Sequence, residues 1–265
     1  MAESVLELSG VRKLYGSVVA VQEVGFSVPQ GGSLGIVGES GSGKTTVARM
    51  IVGLTPPTAG TIRACGRDRS APARGAAERR RRGAEVQIVF QDPYSSLDPR
   101  HSAAGAIDEV LRLHRHGADR AARQARIAEL GELVGLDERM MRARPSDLSG
   151  GQRQRIAIAR ALAAQPRVVI LDESVAALDV SIQAQVLNLL ADIREQTGVS
   201  YVLISHDLAV VRQITEQTIV MHRGAVVERG STAEVLDHPQ DPYTQRLRAS
   251  VPRPGWKPTR RPVSA

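Results

Sequence analysis

Cysteine is almost absent: Cys65 is the single one in 265 residues. That excludes an internal disulfide and any multi-cysteine metal site, and it fits a reducing compartment. Aromatics make up only 3% of the chain, so a core has to be built from Val, Ile, Leu and Ala. Lysine is scarce as well; Lys13, Lys44 and Lys257 stand among 35 basic residues and arginine supplies the rest. Long apolar runs are missing. Stretches such as Val168 to Leu171 and Ile219 to Met221 fall far short of the ~18 residues that cross a bilayer. The opening MAESVLELSG is acidic and lacks a basic n-region, so no secretion signal is expected there.

What is present describes a globular chain, with 42% hydrophobic and 24% charged residues. The length suits one large α/β domain or one domain carrying an inserted subdomain. A net charge of +7 raises the question of a polyanion partner. The densest basic cluster, ERRRRG at Glu78 to Gly83, lies in an Ala/Arg/Gly-rich connector and reads as a solvated loop.

Short β-like runs alternate with Gly-rich turns at Val5 to Leu8, Val18 to Val21, Gly25 to Val28 and Ser33 to Val37. A helix is expected from near Lys44 to Gly53, and a strand at Val86 to Phe90. Helical periodicity runs from Ile107 to Met141. Arg167 to Leu171 reads as a buried strand, Ser181 to Gln196 as a helix closed by Thr197-Gly198, and Val199 to Ile204 as the next strand. Ile219 to Met221 and Ala225 to Glu228 should pair as a hairpin. The pattern is a parallel α/β core with a helical insertion.

Gly38-Glu39-Ser40-Gly41-Ser42-Gly43-Lys44-Thr45 fits the P-loop pattern G-x-x-x-x-G-K-[ST], between a strand and a helix that continues with Thr46. Glycines let successive N–H groups turn inward, and the helix start adds partial positive charge, so the segment suits phosphate. Lys44 can reach the β- and γ-phosphates and the Thr45 hydroxyl can bind Mg²⁺. Such a site needs a carboxylate at the end of a neighbouring buried strand, and RVVILD supplies Asp172. Glu173 follows, placed to polarise a water for attack on the γ-phosphate.

Leu148-Ser149-Gly150-Gly151-Gln152, after the helical insertion and before RVVILDE, resembles the signature of the ATP-binding cassette (ABC) family. The resemblance covers about residues 5 to 250. It implies an ATPase with a P-loop NTPase (RecA-like) core, an antiparallel β subdomain and an inserted α-helical subdomain. The implied division is an ABC ATPase domain over 1–250, with the α/β core at 1–91 and 156–250 and the helical subdomain at 92–155. The Pro/Arg-rich tail at 251–265 is expected to be disordered. By the same resemblance Tyr15 stacks on adenine, Gln91 contacts Mg²⁺ and the attacking water and couples to a membrane partner, and His206 bonds the γ-phosphate. Ser149, Gly150, Gly151 and Gln152 are expected to close over ATP held by a partner chain in a head-to-tail dimer, with Asp179 in the loop crossing the interface. The helix start after Ser149 gives this segment the look of a second anion-binding surface.

FQDPYSSLDPR at Phe90 to Arg100, SIQAQVLNLL at Ser181 to Leu190 and HPQDPYTQRLRASVP at His238 to Pro252 resemble ATPase subunits of oligopeptide and dipeptide importers. That resemblance implies a second ATPase subunit (identical or not), two transmembrane permease subunits, an external solute-binding protein, and a place on the cytoplasmic face of the membrane. Some such subunits carry a cysteine-ligated iron–sulfur cluster, which a single Cys65 rules out, favouring the F-type subunit. The rival readings are a phosphonate-processing ABC ATPase, an exporter ATPase, and a nucleic-acid ABC ATPase. The last is disfavoured because the stretch from Lys44 to Ser149 has no room for a coiled coil; no nucleic-acid partner is expected. One departure stands out. Ser174-Val175-Ala176-Ala177 replaces the family's usual Pro-Thr-Ser-Ala, and losing that proline is expected to loosen the backbone after Glu173.

Overall fold

A computed structural model of the chain describes residues 3–92, 97–117 and 119–250. The strands are β1 Ser4–Tyr15, β2 Val18–Pro29, β3 Ser33–Val37, β4 Ala59–Ala64, β5 Arg67–Asp68, β6 Val86–Val89, β7 Val168–Asp172, β8 Ser200–Ser205, β9 Gln217–His222 and β10 Ala225–Ser231. They form two sheets. One is antiparallel, ordered β2-β1-β4-β5. The other is ordered β10-β9-β3-β8-β7-β6 and is parallel except for β10, which closes the edge as a hairpin with β9.

The unbroken apolar runs of β7 and β8 follow from burial on both faces. Val169, Leu171, Tyr201 and Leu203 enter a core shared with most of the helices. Val168, Ile170, Val202 and Ile204 enter a second core, closed by α1 (Lys44–Ile51) and the antiparallel sheet. In β1, by contrast, buried Leu6 and Leu8 flank exposed Glu7, the alternation of a sheet with one covered face.

Between β6 and β7 lie the inserted helices α3 Ala103–His114, α4 Arg120–Leu133 and α5 Glu138–Arg142, followed by α6 Gly150–Leu162. The helical periodicity from Ile107 to Met141 resolves into these three helices. Arg115 ends α3 in a left-handed conformation, and Asp119 and Asp137 cap the next two by accepting from Ala122 and Met140 N–H. After β7 come α7 Val180–Thr197, closed by left-handed Gly198 as the sequence indicated, then α8 Leu208–Ile214, α9 Thr232–Asp237 and α10 Pro242–Ala249.

Three expectations are corrected. The basic run Glu78 to Gly83 is not a solvated loop but part of α2, Ala76–Glu85. Arg82 is buried there, donating to Ala71 O at 2.7 Å and pairing with Glu78 at 2.6 Å, while Arg69 pairs with Glu85 at 2.8 Å. Carboxylates one turn away and free backbone carbonyls pack Arg82 into the helix's inner face, while Arg79 and Arg81 stay exposed. The two short runs Val18 to Val21 and Gly25 to Val28 are one strand, β2, whose register against β1 shifts several times. Finally, the strand at Val86 stops at Val89, leaving Phe90 and Gln91 outside it. β4, β5, α8 and α9 had no counterpart in the sequence reading. Residues 93–96 of FQDPYSSLDPR and the tail 251–265 lie outside the described residues.

Candidate nucleotide site

β3 runs fully buried into the loop 38–43 and then into α1. Two glycines are obligatory. Gly38 sits at φ 150° with Met221 O only 2.2 Å from where a Cβ would be, and Gly43, the N-cap of α1, sits at φ 102° with Ala20 O at 2.5 Å. No side chain caps α1 and no acid lies in its first turn, so the helix start offers N–H groups without a resident acceptor. Lys44 is 4% exposed, and its Nζ donates to Gly38 O at 2.7 Å and to Glu39 O at 2.8 Å. Burial lowers its pKa below the usual lysine value, against the opposing pull of Glu173, Asp172 and Glu39. Glu39, Ser40, Gly41 and Thr45 are exposed, Thr46 half-buried and Ser42 buried, so the loop shows its upper edge to solvent.

Asp172 closes β7 at 6% exposure, and the Thr45 hydroxyl donates to its Oδ1 at 3.4 Å. Burial first, then the adjacent Glu173, pushes the Asp172 pKa up, while Thr45, Arg49 and Lys44 oppose this. Glu173 turns the chain at φ 49°, a left-handed conformation uncommon for a residue with a Cβ. Its backbone is held on both sides: Glu173 N–H donates to Ile204 O at 2.9 Å, and Ala176 N–H donates to Glu173 O at 3.1 Å. This turn brings the Glu173 carboxylate to 3.5 Å from His206 Nδ1, just past the end of β8. Five predicted residues from three separate strand ends (Lys44, Thr45, Asp172, Glu173 and His206) therefore meet at one rim of the parallel sheet. Gln91 does not join them by any hydrogen bond among the described residues; it stands exposed past β6. Tyr15, at the tip of the β1–β2 hairpin, is 47% exposed with Lys13 Nζ 5.0 Å from its ring centroid.

Ser149 to Gln152 form a different surface. Ser149 is the N-cap of α6 in a capping box: its Oγ accepts from Gln152 N–H at 3.3 Å, and Gln152 Oε1 accepts from Ser149 N–H at 2.9 Å. The segment packs on the start of α7, where a Cβ at Gly151 would lie 2.4 Å from Ile182 Cγ2. Asp179 caps α7, accepting from Ile182 N–H at 3.0 Å and Ser181 Oγ at 2.8 Å. These bonds hold the Asp179 pKa below the ordinary carboxylate value.

A profile of the ABC transporter family matches residues 21–176, more than half of the chain. The chain belongs to the ABC transporter family. Among relatives, a putative peptide import ATP-binding protein of Brucella abortus (strain 2308) is 48% identical over 236 residues, 88% of this chain and 70% of that protein. The oligopeptide transport ATP-binding protein OppD of Mycobacterium tuberculosis (strain ATCC 25618 / H37Rv) is 47% identical over 244 residues, 92% of this chain. This ABC family chain spans only 39% of the length of that protein. The ATP-binding cassette MJ0796, solved as a dimer in a post-hydrolysis state bound to ADP and Pi, superposes with a TM-score of 0.77 at 30% identity, covering 86% of this chain and 98% of its own. CbiO1 from Clostridium perfringens, at 23% identity and a TM-score of 0.80 over 96% of this chain and 98% of its own, supports the fold alone.

Within this ABC fold, the Ser174-Val175-Ala176-Ala177 segment forms a turn directly after Glu173. Val175 is buried in the helical core, and Leu178 N–H donates to Val175 O at 3.2 Å. Ser174 is buried too, with no partner for its hydroxyl. The sequence reading had the β9–β10 hairpin but not its contact with the loop, and it missed α10. Gly224 N–H donates to Ser42 O at 3.0 Å, and Glu39 N–H donates to the Tyr243 phenol at 2.9 Å. Asp241-Pro242, a cap followed by proline at the first helical position, signals the helix that carries Tyr243, but nothing local says where that helix docks.

Proposed function

We propose that this chain is the ATP-hydrolysing subunit of an ABC importer for oligopeptides, dipeptides or a related small solute. The observation that carries the ATPase reading is the meeting of Lys44, Thr45, Asp172, Glu173 and His206 at the rim of the parallel sheet. The import reading rests on relatives named as peptide import, oligopeptide transport and glutathione import ATP-binding proteins. The cassette is taken as residues 1–250, with a core at 1–91 and 156–250 and a helical subdomain at 92–155.

In this reading Gly38 to Thr46 cradle the triphosphate through the backbone, Lys44 leaves its carbonyl partners for the β- and γ-phosphates, and Tyr15 offers its exposed ring to adenine. Among the described residues no cluster of three or more His, Cys, Asp and Glu is assembled that could hold a metal by itself. A buried carboxylate beside one hydroxyl suits Mg²⁺, which takes one or two protein ligands and fills the rest with phosphate and water. Thr45, Asp172 and Gln91 would hold it, and when bound it neutralises phosphate charge. Glu173 accepts the proton of the attacking water, and His206, within reach of Glu173, binds the γ-phosphate. Ser149, Gly150, Gly151 and Gln152 serve ATP on the partner chain of a head-to-tail dimer, with Asp179 at the crossing. Among the described residues no helix is long and apolar enough to cross a membrane. In this reading two permease subunits carry the path, with this chain peripheral on the cytoplasmic face and a solute-binding protein outside. The F-type assignment is part of this proposal and rests on the single cysteine alone.

Reconstitution tests this. The chain, a second ATPase subunit and candidate permeases in proteoliposomes should show ATP-dependent uptake of a peptide or glutathione, with turnover stimulated by the loaded binding protein. An assembled complex that hydrolyses ATP but moves none of these solutes would sink the import reading and leave the ATPase reading standing.

A further inference from the structure

The last helix reaches back to the phosphate loop. Tyr243, buried on α10, accepts the Glu39 N–H at 2.9 Å, and the carbonyl of the same Glu39 accepts from Lys44 Nζ at 2.8 Å. A single residue of backbone thus stands between a tyrosine near the end of the described chain and the loop lysine. The Tyr243 ring packs on His222, with centroids 3.9 Å apart. Two residues past His222, Gly224 N–H holds Ser42 O at 3.0 Å. The loop is therefore gripped from beneath at Glu39 and Ser42 while its upper edge is exposed.

The helix that supplies the grip is itself fixed. Glu228, on β10, accepts from Gln240 N–H at 2.8 Å and from Asp241 N–H at 3.2 Å. Asp241 then accepts from Tyr243 N–H at 2.7 Å, and Arg248 donates to Asp237 O at 2.6 Å. The backbone of Tyr243 is set before its side chain reaches the loop. The loop needs such an anchor, because Gly38, Gly41 and Gly43 all sit at positive φ and give it freedom that other residues lack. Burial pushes the phenol pKa up, so Tyr243 stays a neutral hydroxyl.

We propose that Tyr243 is a positioning residue for the phosphate loop: by holding Glu39 N–H it fixes the loop shape in which Lys44 and the start of α1 receive a triphosphate. The proposal rests on the nucleotide reading of the site. A tyrosine that merely anchors α10 would contribute to stability and nothing else.

Tyr243→Phe separates the two, since it keeps the ring on His222 and removes the acceptor. In the assembled complex, well below the melting temperature, KM for MgATP should rise between about twofold and tenfold, the span of one neutral hydrogen bond. kcat should hold within about twofold, because the loss falls on ground-state binding. Hydrogen exchange gives a second readout: the Glu39 amide should lose protection in the variant. A variant with a lowered Tm but wild-type KM and wild-type Glu39 protection overturns the proposal. Lys44→Ala run alongside tells the two failures apart. If it turns over ATP normally, the nucleotide reading itself fails. If it is inactive while Tyr243→Phe matches wild type, only the role of Tyr243 fails.

Discussion

The helices α1 and α6 begin with similar glycine- and serine-rich sequence, yet their first turns are in opposite states. At α1 the N-cap is Gly43, no side chain caps the helix, and buried Lys44 and Asp172 crowd the start. At α6 the N-cap is Ser149, both halves of a capping box are made, and Ser149 and Gly150 are exposed. The first start is held open at an electrostatic cost; the second satisfies part of itself. The sequence suggested that both were ready anion sites. The capping box changes that for α6 only in part: it occupies the N–H groups of Ser149 and Gln152 and leaves those of Gly150 and Gly151 without a side-chain acceptor among the described residues. Under the dimer proposal a phosphate on a partner chain meets those two N–H groups, and such charge-assisted hydrogen bonds are roughly twice as strong as neutral ones.

The sharpest break of this contrast comes from chemistry that only the first site should support. Glu173→Gln keeps shape and removes the proton acceptor, so turnover should fall by about 10²–10⁴-fold while ATP still binds, as single-turnover and binding assays would show. Lys44→Ala should cost turnover about 10²–10³-fold, the scale for one positioned donor to a developing charge. Equilibrium nucleotide binding should weaken with it.

Smaller effects test the electrostatic cost. Burial holds the Asp172 pKa above its ordinary value, so between the ordinary and the raised pKa the folded chain binds more protons than the unfolded one. The stability present at pH below the ordinary carboxylate value is therefore lost as pH rises through the folded pKa. Asp172→Asn should raise the Tm of the nucleotide-free protein at pH 7–8, and the gain should shrink as pH falls into the carboxylate range. A scan showing no pH dependence of that difference would break the account. The smallest effect belongs to α6. Ser149→Ala should lower stability by about 0.5–2 kcal/mol, the usual loss of a serine cap, read as a shifted denaturant midpoint. Nucleotide affinity of the isolated chain should not change.

Legibility followed the range of the interactions. Lys44, Thr45 and Asp172 could be read from sequence because a glycine pattern and a two-faced buried strand place them locally. Glu173 could be read from its place after that strand and His206 from the family pattern, but not the left-handed backbone at Glu173, whose N–H donates to Ile204 O on β8. Arg82 read as solvent-facing because its acceptors, Arg69 O and Ala71 O, belong to a neighbouring turn of chain. Tyr243 shows no role in the sequence, since its contact spans 204 residues. In the turn Ser174 to Leu178, backbone hydrogen bonds and the burial of Val175 stand where the family has its proline, contacts that the local sequence does not show.

The contact of Gly151 with Ile182 has a thermodynamic side. It locks the starts of α6 and α7 together, each already closed by its own cap. The outward residues on this face, Ser149, Gly150 and Asp179, are short and have few rotamers to surrender. Under the dimer proposal, a partner chain meets a surface whose conformational entropy has already been removed by folding. That lowers the ordering cost of association and leaves more of the contact energy to appear as affinity.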